Sequence, residues 1–181
     1  LWVFPGNALA TGLADPAPLF LAAPLFFLFL IPAITMRMLS EELRSGTLEL
    51  LATRPVSLWA LVAGKWGAAW LLAALALAPT LFRLESATTA FSFSGAGVDW
   101  GAAWGSYAGL LGVAAAMAAI GLFTSALTEN QIVAFLLGCF LCFFFLLGWG
   151  YLAEAPGLPP AAAEALSGLG MQAHFEALAR G

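Results

Sequence analysis

The stretch MRMLSEELRSGTLELLATRPVS, residues 36–57, lies between two long apolar runs and decides how the chain is read. It holds three of the six Lys and Arg residues and three of the ten Asp and Glu residues. Charge gathered on one connection between apolar segments keeps that connection in water, where a partner can reach it. The identity of that partner is the question that the sequence poses.

The composition places much of the chain in lipid. Hydrophobic residues make up 62% and charged residues 9% of the 181 residues, and the mean hydropathy is +0.96. A soluble domain has roughly 25% charged residues and could not bury this much apolar surface. The net charge of −4 and the scarcity of basic residues argue against a nucleic-acid partner.

Four apolar runs are long enough to cross a bilayer, which takes about 20 helical residues. They lack the two-residue alternation that strands of a membrane barrel require. The sequence therefore predicts an all-α polytopic membrane protein, with 1–181 as a single domain built on a four-helix bundle. The predicted spans are 17–36, 58–82, 100–126 and 131–153.

Lys and Arg set the predicted orientation, because basic connections stay in the cytosol. The connection between the first two spans carries Arg37, Arg44 and Arg54. We therefore expect 37–57 and 127–130 in the cytosol, and 83–99 and both ends of the chain outside. Lys65, in the second span, can extend back to the cytoplasmic headgroups and so avoid much of the roughly 2.5–3.5 kcal/mol cost of a charge at the bilayer centre.

Small residues recur along the third span. They allow another helix to approach closely, which drives association in lipid. Packing within this bundle is the favoured interpretation, and a sliding interface with another subunit is the alternative. The glycines of this stripe are Gly101, Gly105, Gly109 and Gly112.

Residues 154–181 are predicted to form two short helices outside the membrane, too short to cross it. Pro159-Pro160 suits a helix start, and Gly168 or Gly170 suits its end. In the second helix, Glu176 and Arg180 are spaced as an i,i+4 pair.

Groups for covalent chemistry are sparse. The aspartates, Asp15 and Asp99, lie outside the predicted spans, and the one histidine, His174, lies in the tail. Cys139 and Cys142 are either a redox pair or, as we favour, small apolar fillers on one helical face. The sequence therefore predicts no enzymatic activity, no cofactor and no metal site, and it gives little support to an ion channel.

The charged connection has the pattern of a short helix, a turn and a second short helix. Leucines share one side, Gly46 interrupts the first helix, and Pro55 ends the second. Such a segment is either an interfacial loop or an element that docks into a groove on a soluble partner.

The segments that carry a family resemblance are PAITMRMLSEELRSGTLELLATRPVSLWALVAGKW at 32–66, VDWGAAWGSYAGLLGVAAAMAAIGLFTSALTENQIVAF at 98–135 and HFEALARG at 174–181. Together they resemble the permease subunits of type-2 ABC transporters, most closely the gliding-motility-associated branch. The resemblance implies an exporter permease with six spans, of which this sequence would supply four. It also implies two partners, a cytosolic ATP-binding subunit and a second permease subunit, the same or different, within a bacterial inner membrane.

The resemblance further implies that 40–53 is the coupling helix, which transmits ATPase motion, and that the tail precedes the last span. A membrane scaffold or motility component that transports nothing is the alternative function, and a lipid-modifying enzyme lacks the acidic pair it would need. The predicted ATPase-docking residues are Glu41, Glu42, Arg44, Gly46, Thr47, Glu49 and Leu50.

Overall fold

The structure is a computed structural model, and it describes residues 17–47, 57–91, 100–155 and 159–171. Within these ranges every regular element is helical, which confirms the all-α prediction. The elements are α1 (Ala17–Thr35), α2 (Ser40–Ser45), α3 (Leu58–Phe91), α4 (Trp100–Leu127), α5 (Gln131–Phe143), a π-helical segment (Phe144–Gly148), α6 (Trp149–Ala153) and α7 (Pro160–Leu169).

Four described segments are long and apolar enough to cross a membrane, as the sequence predicts. The first segment includes most of α1, the turn at 36–39 and α2. The last joins α5, the π-helical segment and α6, and it has the bounds that the sequence predicts. The segments are Ala22–Ser45, Leu58–Phe82, Ala103–Leu127 and Gln131–Ala153.

Helix α3 is longer than its predicted span. It runs 34 residues, from Leu58 to Phe91, which at 1.5 Å per residue is about 51 Å against about 30 Å of bilayer core. The predicted span 58–82 matches the membrane-crossing segment Leu58–Phe82, and 83–91 continue the same helix beyond that segment. Hydropathy detects the part of a helix that suits lipid, whereas the backbone hydrogen bonds continue beyond it.

Helix α4 lies at the centre of the bundle and packs against α1, α3 and α5. Its buried side includes Leu110, Ala114 and Met117, which join Ile31 of α1 and Cys142 of α5 in one apolar core. Helix α3 is peripheral: 17% of its most apolar stretch is buried within the chain, against 50% for that of α4. Its outward apolar side chains are therefore available to lipid or to another subunit.

Local signals fix the helix ends near the charged connection. Asn130 caps α5, because its side chain accepts the backbone N–H of Ile132 at 3.0 Å. Gly46 ends α2 in the left-handed conformation with φ 70°, and its N–H bonds the carbonyl of Leu43. At the other end of the bundle α7 begins at Pro160, as predicted, and ends at Leu169. The second predicted tail helix lies outside the described residues beyond Met171.

Candidate functional site

The chain leaves α1 through a turn at 36–39 and enters α2 at once; we call residues 36–45 the elbow. One side chain from α4 holds this elbow. The Ser125 hydroxyl accepts the N–H groups of Leu39 and Ser40, both at 3.0 Å, and donates to the carbonyl of Met36 at 3.0 Å. Ser125 and Ser40 are fully buried. A single hydroxyl thus bonds three backbone groups of the turn and fixes the elbow to α4.

A second contact joins the elbow to α3. The Lys65 ammonium donates to the carbonyl of Met38 and to Glu42 Oε1, each at 2.6 Å. The two side chains are 18% and 24% exposed. Glu42 Oε2 is buried and makes no hydrogen bond. Lys65 therefore turns back along the chain, as predicted, but its ligands are protein groups instead of lipid headgroups.

The opposite side of α2 is exposed. Glu41, Arg44, Ser45, Gly46 and Thr47 form this surface, which we call the outer face of α2. Glu41 pairs with Arg37 one turn earlier at 3.3 Å, with both side chains more than half exposed. Ser45 bonds the Glu41 carbonyl at 2.8 Å and lies 2.9 Å from the Thr47 hydroxyl. These polar groups end the helix without burying its charges.

The predicted docking residues are divided by this geometry. Glu41, Arg44, Gly46 and Thr47 lie together on the outer face of α2. Glu42 instead points inward to Lys65. Glu49 and Leu50 lie outside the described residues.

The elbow and the 128–130 connection lie at the same end of the bundle, because Ser125, which holds the elbow, is two residues before the end of α4. The sequence predicts both connections on one side of the membrane. Their shared end agrees with that arrangement.

The predicted glycine stripe is only partly inside this bundle. Gly109 is buried and Gly105 is half-buried, whereas Gly101 and Gly112 are exposed. A Cβ built on Gly112 would meet nothing within 4 Å. A packing role for Gly112 therefore stays a prediction, and its exposed position also suits the alternative, an interface with another subunit.

The close helix approaches occur at two glycines outside the predicted stripe, Gly121 and Gly138. A Cβ on Gly121 would overlap Thr35 Oγ1 and lie 3.0 Å from Thr35 Cβ. A Cβ on Gly138 would lie 3.2 Å from both Pro32 Cβ and Thr124 Oγ1. Helix α1 therefore approaches α4 closely at Gly121 and α5 at Gly138.

Two tryptophans of α3 hold it to α4. Trp66 donates its indole N–H to the carbonyl of Ala115 at 2.9 Å, and Trp70 donates to the carbonyl of Leu111 at 3.0 Å. Their rings stack with centroids 6.2 Å apart. Both donors and both acceptors are spaced by one helical turn, so they fix the register of the two helices.

The far end of the bundle carries aromatic packing. Phe144, Phe145 and Trp149 form this aromatic cluster, with ring centroids 5.3 to 6.2 Å apart. Phe144 and Phe145 begin the π-helical segment and Trp149 follows it directly, and the Trp149 N–H is buried without a hydrogen-bond partner. Nothing in the hydropathy of this run predicts the change from α to π geometry.

The described residues contain no group of three or more His, Cys, Asp or Glu side chains that could hold a metal ion. Cys139 and Cys142 are both free, and Cys142 packs in the apolar core as the filler interpretation predicts. His174 lies outside the residues that the structure describes.

Comparison with known proteins gives one match. A family model described as ABC-2 family transporter protein matches residues 17–178. No curated protein and no solved structure matches the chain. The match gives no support to the narrower resemblance to gliding-motility permeases, which stays a prediction. The chain belongs to the ABC-2 transporter family, as a multi-pass membrane permease of an ABC transporter, a class whose nucleotide chemistry lies on a partner.

Proposed function

We propose that this chain is a permease subunit of an ATP-driven exporter in a bacterial inner membrane, and that the outer face of α2 docks on the nucleotide-binding subunit. One observation carries the proposal. The outer face of α2 is exposed and charged, whereas the inner side of the elbow is bonded to α4 through Ser125. An element that is open to a partner on one side and fixed to a spanning helix on the other can transmit force.

The mechanism follows from that arrangement. ATP binding closes the nucleotide-binding subunits, and α2 moves with the subunit on which it docks. Because buried hydrogen bonds fix the elbow to α4, the displacement reaches the central helix instead of being lost in a flexible connection. The path for cargo opens between this chain and a second permease subunit, for which the exposed side of α4 around Gly112 is available.

Charge reversal on the outer face of α2 tests the docking. We expect Glu41→Lys combined with Arg44→Glu to reduce stimulation of the nucleotide-binding subunit's ATPase about tenfold, a coupling loss of ordinary size. Insertion and stability should be unchanged, because both side chains are exposed. The assay measures ATP hydrolysis by the complex that co-purifies with the chain, reconstituted in nanodiscs.

Glu129→Lys is the matched control. Glu129 is an exposed acid at the same end of the bundle but outside α2. Equal losses in the control and the double variant would refute a specific dock. A scaffold would bind the ATPase without changing its turnover, so an unstimulated but stable complex would favour that alternative.

A further inference from the structure

We infer that Lys65 is a positioning residue: its ammonium fixes the angle between α2 and α3, and through it the motion of the docked ATPase reaches α3. This inference rests on the proposed function. Lys65 lies in the second span and does not belong to the outer face of α2.

The contacts of Lys65 support the inference. The ammonium bonds the elbow twice, at a backbone carbonyl of the turn and at a carboxylate of α2, each at 2.6 Å. The two ligands lie 27 and 23 residues away in sequence. Two ligands on different parts of the elbow resist rotation of α2, which a single hydrogen bond would allow.

The charges explain why the contact is specific. Glu42 is three-quarters buried, and its second carboxylate oxygen is buried without a partner. Lys65 is therefore the cation that compensates this carboxylate among the described residues. Removing one member of a partly buried ion pair strands the other, whereas replacing both by neutral groups is often tolerated. The pair is thus suited to fixing orientation and adds little to net stability.

The position of Lys65 on α3 completes the path. Trp66 is the next residue and Trp70 lies one turn further, and both bond backbone carbonyls of α4. A displacement that Lys65 receives from α2 therefore reaches α3 at the point where α3 is held in register with α4. Ser125 connects the elbow to α4 directly, so Lys65 supplies the separate connection to α3.

The test uses a neutral pair. Lys65→Met alone should insert poorly, because it leaves Glu42 stranded, so it cannot separate stability from positioning. Lys65→Met with Glu42→Gln removes both charges and should insert and purify at the wild-type level. Lys65→Arg keeps the cation and its donors and is the conservative control.

Two readouts follow in the full chain in nanodiscs. The first is the distance distribution between spin labels at Ser45→Cys and Ala68→Cys, both exposed positions on α2 and α3, in a background of Cys139→Ala and Cys142→Ala. The second is the stimulation of the co-purifying nucleotide-binding subunit, measured as its rate of ATP hydrolysis. For the neutral pair we expect a broader distribution and at least about fivefold less stimulation, the lower end of typical coupling. Lys65→Arg should retain both wild-type values.

The outcomes separate this inference from the proposed function. A neutral pair with the wild-type distance distribution would overturn the positioning role, whatever the ATPase does. A broader distribution with full stimulation would overturn the claim that the fixed angle carries motion to α3. If the charge reversal on the outer face of α2 has no effect, the dock is wrong, yet the distance measurement still tests Lys65.

Discussion

Different kinds of contact stabilise the two ends of the bundle. At the elbow, Ser125 and Lys65 make directional hydrogen bonds to backbone groups and to one carboxylate. At the far end, the rings of Phe144, Phe145 and Trp149 pack against one another within and directly after the π-helical segment. Hydrogen bonds weaken steeply away from their preferred geometry, whereas favourable ring pairs cover centroid separations of about 4.5–7 Å. The elbow end is therefore suited to receiving a displacement, and the aromatic end to adapting to it.

Ser125→Ala should produce the largest loss of stability. The change leaves two buried N–H groups, of Leu39 and Ser40, without an acceptor, and each such group costs about 1–3 kcal/mol. We expect a loss of about 2–6 kcal/mol in the free energy of unfolding, measured by denaturant titration in detergent micelles. Ser45→Ala is the control, because Ser45 is exposed and water replaces its bonds. Similar losses in the two variants would show that the elbow is not held by Ser125.

Gly121→Ala and Gly148→Ala each add one methyl group, the first near the elbow and the second at the aromatic end, so their stability costs compare the rigidity of the two ends. The new Cβ would meet Thr35, a fully buried, β-branched residue of α1, so the two helices must separate, at a cost of about 1–3 kcal/mol. Gly148→Ala places a Cβ 2.8 Å from the half-buried ring of Phe144, which can rotate away, so its cost should be smaller. Both are measured by thermal unfolding in micelles.

Gly112→Ala is the matched control for these two changes. Its Cβ meets nothing within 4 Å, and alanine raises helix propensity by up to about 1 kcal/mol. Unfolding should therefore be unchanged or shifted to higher temperature. If Gly148→Ala cost as much as Gly121→Ala, the proposed difference in rigidity between the two ends would be refuted.

The sequence predicts the spans well because hydropathy and caps are local properties. The fourth span is predicted at 131–153, and Pro160 and Gly46 mark helix ends from their own chemistry. The extension of α3 to Phe91 is missed, because its end is too polar for lipid although it remains helical.

The interior of the candidate site is not predicted, because it depends on pairs of residues distant in sequence. Ser125 reads as an ordinary polar residue near a helix end, and nothing local connects it with Leu39, 86 residues away. The sequence places Lys65 at the lipid headgroups. Its carboxylate partner lies 23 residues earlier, and no local pattern connects the two. The stripe of small residues predicts close packing at Gly101, Gly105, Gly109 and Gly112. A close approach occurs instead at Gly121, because Thr35 of α1 faces it.

The smallest effect on stability is expected at the exposed ion pair of the elbow. Arg37 and Glu41 are 60% and 54% exposed, and such pairs contribute about 0–1 kcal/mol. Arg37→Ala should therefore leave the unfolding transition within about 0.5 kcal/mol of wild type, as surface changes usually do. The same variant frees the Glu41 carboxylate for a partner, so its binding to the nucleotide-binding subunit, measured by co-purification across salt concentrations, should be equal or tighter. Weaker binding without a stability change would mean that Arg37 itself contacts the partner, and the docking surface would then extend from the outer face of α2 onto the turn that Ser125 holds.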